Sequence, residues 1–372
     1  IHCCPCGIAM CFQWYVVLFT GLTIVTAWTY INNVRVLFAK GENSWMTDEM
    51  PSWLRVLSKA GLVAGFITFV LLMAHFFEDV RKGRRWRLQH NQKFVYAASK
   101  RQDMVLWVIA MPGIFTAMAV QSTARMWMVI VKSYGEYGKV VDLALYQENL
   151  DLAAGCQFYV VFVFSRLCWQ FIKERSSEET QTIVKYAGFQ GVHFWVILGI
   201  FRAVFDFCFR YANAHPEIFP EGFHLDVYMP EFAKVSQKLQ DYFTVLTVLC
   251  VYNMFLICSF KDVVDALGNA NQKFTGMRML IILGQLQPQV VQMPLVQRAL
   301  NLNENTGKLL HSTLLTVECL IVVIFNYKSW EWGVKKELLY DARDLAGRRA
   351  DNEANDAKRP LLECAKDNPE ML

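Results

Sequence analysis

The sequence predicts an all-α, polytopic membrane protein: a bundle of seven transmembrane helices with an extra helix at the N-terminus. Three observations lead there. Hydrophobic residues make up 54% of the chain and charged residues 19%, against about 25% charge in an ordinary soluble domain. The apolar residues gather into recurrent runs, each long enough to cross a hydrocarbon core of ~30 Å. Lys and Arg concentrate on alternate connections, the asymmetry expected of chains that cross a bilayer repeatedly.

The runs fall at 11–31, 60–77, 104–127, 152–172, 186–209, 242–260, 275–295 and 309–327. The first lacks a basic flank and a small-residue cleavage site, so we read it as a retained helix and not a signal sequence. Four regions follow from this pattern. Residues 1–54 form a Cys-rich N-terminus with the extra hydrophobic helix and an outer loop, and 55–327 form the seven-helix core. Residues 328–349, "KSWEWGVKKELLYDARDLAGRR", place Trp330, Val334, Leu338 and Leu345 at helical spacing among basic residues, as in a helix lying along the headgroups or, alternatively, a solvated helix. Residues 350–372 are charged and free of aromatics, the composition of a disordered tail.

Orientation follows from the connections. Segments 78–103, 173–185, 261–278 and 328–372 hold 23 Lys and Arg, whereas 32–59, 132–151, 210–239 and 296–308 hold 11. Positive charge stays on the cytoplasmic side. The C-terminus is therefore expected in the cytoplasm, with the core starting outside and the extra helix returning the N-terminus inside. The net charge of +4 is accounted for by this topology and gives no reason to expect nucleic acid as a partner. A Gly-rich phosphate loop, HExxH, GxSxG and paired CxxC are all missing, which argues against an enzyme and against a metal or other cofactor.

The chemistry that remains is polar side chains inside apolar runs. "HCCPC" sets Cys3, Cys4 and Cys6 beside the first run, where S-acylation of juxtamembrane cysteines is the favoured reading at a cytoplasmic end. In "HFFEDVRKGRRWR", His75, Glu78 and Asp79 read as a helix-end charge arrangement in preference to metal ligands. Arg125 is placed near the outer interface, where a long basic side chain snorkels. Arg166, in "VFVFSRLCW", lies inside a run with no local partner, while Arg202 and Asp206, in "GIFRAVFDFC", are one turn apart and can pair. His193 and Asn253 add neutral polarity at depth.

"LIILGQLQPQVVQM" carries the densest polarity. Gln285, Gln289 and Gln292 follow Arg278 at offsets of 7, 11 and 14, one stripe on a helix, with Gln287 pointing elsewhere. Pro288 frees the carbonyl of Gly284 and is expected to bend the helix. A freed carbonyl in lipid costs several kcal/mol unless something pairs with it, so the stripe faces either protein or a wet cavity. Glu318, in "LLTVECLIVV", sits near the midplane, where a charge costs at least ~2.5–3.5 kcal/mol and requires a partner or a proton.

Several of these stretches have a familiar order. "QKFTGMRMLIILGQLQP" sets Lys273 and Phe274 at one end and Gln287 thirteen residues after the Phe, followed by Pro288. With "FFED" at 76–79, Pro112, "GFQGVHFWV" at 188–196 and "VECL" at 317–320, the chain resembles the organic solute transporter alpha-subunit family, which includes the transmembrane protein 184 group. The resemblance covers about 55–330. It departs from the family in lacking cysteines between the third and fourth core spans and in carrying its cluster at the N-terminus.

The resemblance implies facilitated diffusion of amphipathic organic anions, steroid conjugates or bile-acid-like solutes, and a small single-span beta-subunit or a second copy of the chain as partner besides membrane lipids. Arg166, Arg202, Gln285, Gln287 and Glu318 are the candidates for a solute path, and Asp206, His193, Asn253 and Pro288 for structural polarity inside the membrane. The competing expectation is a seven-span receptor-like or trafficking scaffold that moves nothing. The host membrane is expected to be the plasma membrane or an endomembrane.

Overall fold

A computed structural model describes residues 5–38, 50–89, 92–131, 136–214, 225–267 and 270–330. The remainder of the region 328–349 beyond Trp330, the tail 350–372, Cys3 and Cys4, and the side chain of Cys6 lie outside the described residues.

The described chain is all helix. α1 spans Pro5–Phe38, α2 Ser52–Gln89, α3 Gln92–Val131 and α4 Glu136–Arg175. A short α5, Glu178–Val184, runs through a π-helical turn, Lys185–Phe189, into α6, Gln190–Ala214. α7 spans Leu225–Ser259, α8 Lys261–Leu267, α9 Ala270–Val291, α10 Pro294–Leu300 and α11 Glu304–Ser329. Six of these helices (α2, α3, α4, α6, α7 and α11) are long and apolar enough to cross a membrane, and the bent pair α9–α10 supplies a seventh. This is a polytopic membrane bundle.

α3, α11, α9, α7, α6 and α4 close into a ring in that order, and α2 packs outside it against both α3 and α11. α3 is the central column: 83% of its most apolar stretch is buried, against 22% for α6. Val105, Leu106, Val108, Ile109 and Ala110 lie inside the main core, while Phe194, Ile197, Ile200, Phe201 and Val204 of α6 are exposed. Exposed apolar side chains along a spanning helix are what a lipid environment accepts. α1 packs on α3 and touches α2. There Phe19 stacks on Phe76 at 3.6 Å and Gln121 donates to Thr29 at 2.8 Å.

Local chemistry sets the ends. Asn303 caps α11 in a reciprocal box with Thr306, each side chain accepting from the other's backbone. Asn301 ends α10 with φ 53°, a left-handed conformation that Asn tolerates. Pro288 lies within α9, which continues to Val291. A further turn of 76° falls between Val291 and Pro294. Proline drives its predecessor out of the helical region, and Met293 is extended at ψ 132° with Pro294 opening α10.

Two expected loops are also shorter than the apolar runs suggest. The segment 132–151 is helical from Glu136, and 210–239 is helical up to Ala214 and again from Leu225. Hydropathy marks the part of a helix that sits in hydrocarbon, not the turns that extend past it.

Candidate functional site

The ring encloses a cavity of about 530 Å³ toward the end where α4, α7 and α11 begin and α6 and α9 finish. That volume falls within the range of small-molecule sites, roughly 300–1,000 Å³. Gln285, Gln289 and Gln292 of α9 line it together with Pro288 and Gly284. The glutamine stripe thus faces a cavity, and Gly284, whose carbonyl Pro288 leaves without a helical donor, is part of the same wall. Gln285 is buried, whereas Gln289 and Gln292 are exposed toward the mouth.

The facing wall is charged but internally paired. Arg202 forms the expected pair with Asp206 at 3.4 Å, and Ser236 donates to the same carboxylate at 2.7 Å. Arg210 pairs with Asp151, which also accepts from Gln147 at 3.2 Å. At the rim, Gln237 donates to Asp241 at 3.0 Å. The Arg202 guanidinium lies 4.8 Å from the centre of the Phe243 ring, which stacks on Trp195. A cation over an aromatic face is attracted by the ring quadrupole, by about 0.5–2 kcal/mol. Trp195 in turn donates to Thr247 at 2.9 Å, so the aromatic floor leaves its indole N–H satisfied.

Three nitrogens along the wall are buried without an acceptor among the described residues: Gln157 Nε2, Arg202 Nη1 and His311 Nε2. Gln157 is 1% exposed and His311 3%. Tyr146 lies 3.2 Å from His311 Nδ1, and the other acceptor in reach, the Lys308 carbonyl, is farther at 3.4 Å. With the phenol donating to Nδ1, the hydrogen of the ring sits on Nε2.

Of the five path candidates, Arg202 and Gln285 line the cavity and the other three do not. Arg166 is nine residues after Gln157, half a turn away on α4. It is exposed on the outer face of the bundle, with its guanidinium 5.7 Å from the Phe162 ring centre. Gln287 donates to Glu318 at 2.8 Å across the α9–α11 seam. Glu318 follows His311 by two turns, roughly 10 Å deeper along α11.

Among the residues expected to be structural, Asp206 and Pro288 belong to the cavity region as described. His193 and Asn253 line a separate, open groove between α6 and α7. His193 Nδ1 is 2.6 Å from the Phe189 carbonyl, next to the π turn. Arg125 does not simply snorkel, because Asp142 holds it at 3.0 Å. Glu78 is engaged by Lys82 and by the Tyr327 hydroxyl.

Sequence reading missed Gln157, His311, Tyr146, Asp151, Gln237 and Gln240. A signal for part of the set was present: Tyr146, Leu150, Ala154 and Gln157 stand at offsets of 0, 4, 8 and 11, and Gln237, Gln240, Asp241 and Thr244 at 0, 3, 4 and 7. Each set forms one helical stripe, but all except Ala154, Gln157 and Thr244 precede the apolar run of their helix. No family model, no curated protein and no solved structure matches the chain.

Proposed function

We propose that the chain is a membrane carrier for amphipathic organic anions, steroid conjugates or bile-acid-like solutes, working by facilitated diffusion through the cavity. One observation carries this reading: a 530 Å³ cavity inside a ring of membrane-crossing helices, walled by a glutamine stripe, one arginine, apolar side chains and two aspartates, of which Asp151 is paired with Arg210. A rigid amphipath presents both kinds of surface, and amides can donate or accept as it moves. The Lys and Arg distribution supports an outward mouth and a cytoplasmic C-terminus. The resemblance to the organic solute transporter alpha-subunit supports the solute class and a small single-span partner.

The test is uptake of a labelled steroid sulfate into proteoliposomes holding the purified chain, against empty vesicles. Saturable uptake is expected, reduced about tenfold or more in Gln285→Leu/Gln289→Leu/Gln292→Leu, since each lost bond to a charged solute contributes more than ~1 kcal/mol. Absence of uptake by folded chain, alone and with candidate single-span partners, would transfer the assignment to a receptor-like or trafficking protein.

A further inference from the structure

We infer that Gln157, Arg202 and His311 form a head-group subsite in the cavity, which takes the oxygens of a sulfate or carboxylate on the solute. The inference rests on the carrier reading and adds where, and by which atoms, the charged end is held. The three residues come from three different helices, α4, α6 and α11, and line one cavity.

Each leaves one nitrogen buried with no acceptor among the described residues. Buried polar groups in folded proteins are nearly always paired, because an orphaned donor loses its bonds to water and gains nothing. Orphaned donors on three helices around one cavity, with no orphaned acceptor among its described lining residues, are the complement of an oxygen-rich group. An oxyanion has several lone pairs and no hydrogen to give, so it suits a cavity whose unmet groups are donors.

Two of the neighbouring carboxylates are neutralised by arginines, and the third stands in solvent at the mouth, where its charge is screened. Asp151 is held by Arg210 and Gln147, and Asp206 by Arg202 and Ser236. Asp241 is exposed at the mouth and accepts from Gln237. The one cation among the lining residues, Arg202, keeps Nη1 uncommitted after pairing through Nε. Phe115, Leu150 and Leu315 of the same cavity offer apolar contact for the rest of an amphipathic solute. The predicted pose therefore has the head group at the three donors and the apolar body along these side chains, with Gln289 and Gln292 toward the mouth.

Binding of a labelled steroid sulfate and of the same steroid without its sulfate is measured on the full chain in lipid nanodiscs. The variants are Gln157→Glu, which keeps the shape but sets a carboxylate against the anion, Gln157→Leu, and His311→Phe. Thermal unfolding of each variant establishes that it is folded. The sulfate is expected to bind roughly tenfold or more weaker to each variant, the scale of a lost bond to a charged acceptor, while the neutral steroid binds as to wild type.

Unchanged sulfate binding in all three folded variants overturns the subsite and leaves the carrier reading standing if wild-type vesicles take up the sulfate. Equal loss for sulfated and neutral steroid also overturns it, because that outcome reports damage to the cavity and not to a head-group contact. If the wild-type chain, alone and with candidate single-span partners, neither binds nor moves the sulfate, the carrier reading and the subsite fall together.

Discussion

At the scale of single residues, the bundle distributes its buried polarity in pairs, and the pairs make separable predictions. Arg101 is 4% exposed and holds Glu174 through two contacts of 2.5 and 2.6 Å, with its guanidinium 4.7 Å from the Phe171 ring centre. Removing Glu174 takes two charge-assisted contacts from a buried guanidinium. Glu174→Ala is expected to cost about 1.5–3 kcal/mol, the scale of hydrogen bonds to charged groups. Arg101→Leu/Glu174→Leu should recover most of that loss in thermal unfolding in detergent. The seam pair behaves differently. Gln287 Oε1 and Glu318 Oε2 are both buried without a donor among the described residues. Glu318→Gln adds an N–H, so two amides can bond reciprocally, and unfolding should be unchanged or raised. Gln287→Leu instead strips the carboxyl of its one described donor and should lower stability by about 1–3 kcal/mol. Equal effects from these two variants would show that the pair is not held by this hydrogen bond. Sequence reading named both residues but not their contact, because nothing in one chain's periodicity states which helices become neighbours.

Among the elements, α6 is pressed onto its neighbours where it has no side chain. A Cβ added at Gly199 would lie 2.7 Å from Cζ of Phe158, closer than side chains approach. Phe158 is also fixed edge-on against Trp195 and Phe243, with ring centres 4.9 and 5.5 Å away. It cannot move aside without disturbing the floor under Arg202. Gly199→Leu is therefore expected to cost about 1–3 kcal/mol by overpacking and to reduce steroid sulfate uptake as well. Gly155 in α4 meets nothing within 4 Å, so Gly155→Ala should be neutral or stabilising by up to about 1 kcal/mol, the helix-propensity difference. Paired unfolding curves decide the matter. If Gly199→Leu is tolerated, α6 is not seated as described. Helix existence was legible at this scale, because runs of some twenty apolar residues have few other solutions in lipid. The α9–α10 break is not read from the sequence: Pro288 draws attention there, whereas the 76° turn falls before Pro294. At Pro294 the bias of a proline's predecessor toward extended backbone is realised in Met293, whereas Pro112, Pro230 and Pro288 are carried within helices.

For the whole molecule, the cavity lies toward one end of the bundle, and the charge distribution proposes a side for that end. Gln292 sits at the mouth, in the half of the bundle whose connections carry few Lys and Arg; Lys261 lies at the other end, after α7. If positive charge marks the cytoplasmic face, Gln292→Cys in intact cells should react with a membrane-impermeant maleimide above the background of the native cysteines. Lys261→Cys should react only after permeabilisation. Steroid sulfate in excess should protect Gln292→Cys, because the solute and the label compete for one opening. The reversed labelling pattern would invert the bundle without touching its internal geometry, and the cavity would then load from the cytoplasm. Accessible sulfhydryls at both positions in intact cells would remove the membrane topology itself. Fold class and sidedness could be argued from the sequence because a bilayer imposes them on composition and charge along the whole chain. The cavity could not, because its wall is assembled from six helices, and Tyr146, Gln147, Asp151, Gln237, Gln240 and Asp241 lie outside the apolar runs that betray the spans. Labelling with and without solute therefore tests the two inferences together while keeping them distinguishable: sidedness by which cysteine reacts, and the cavity by whether the anion shields it.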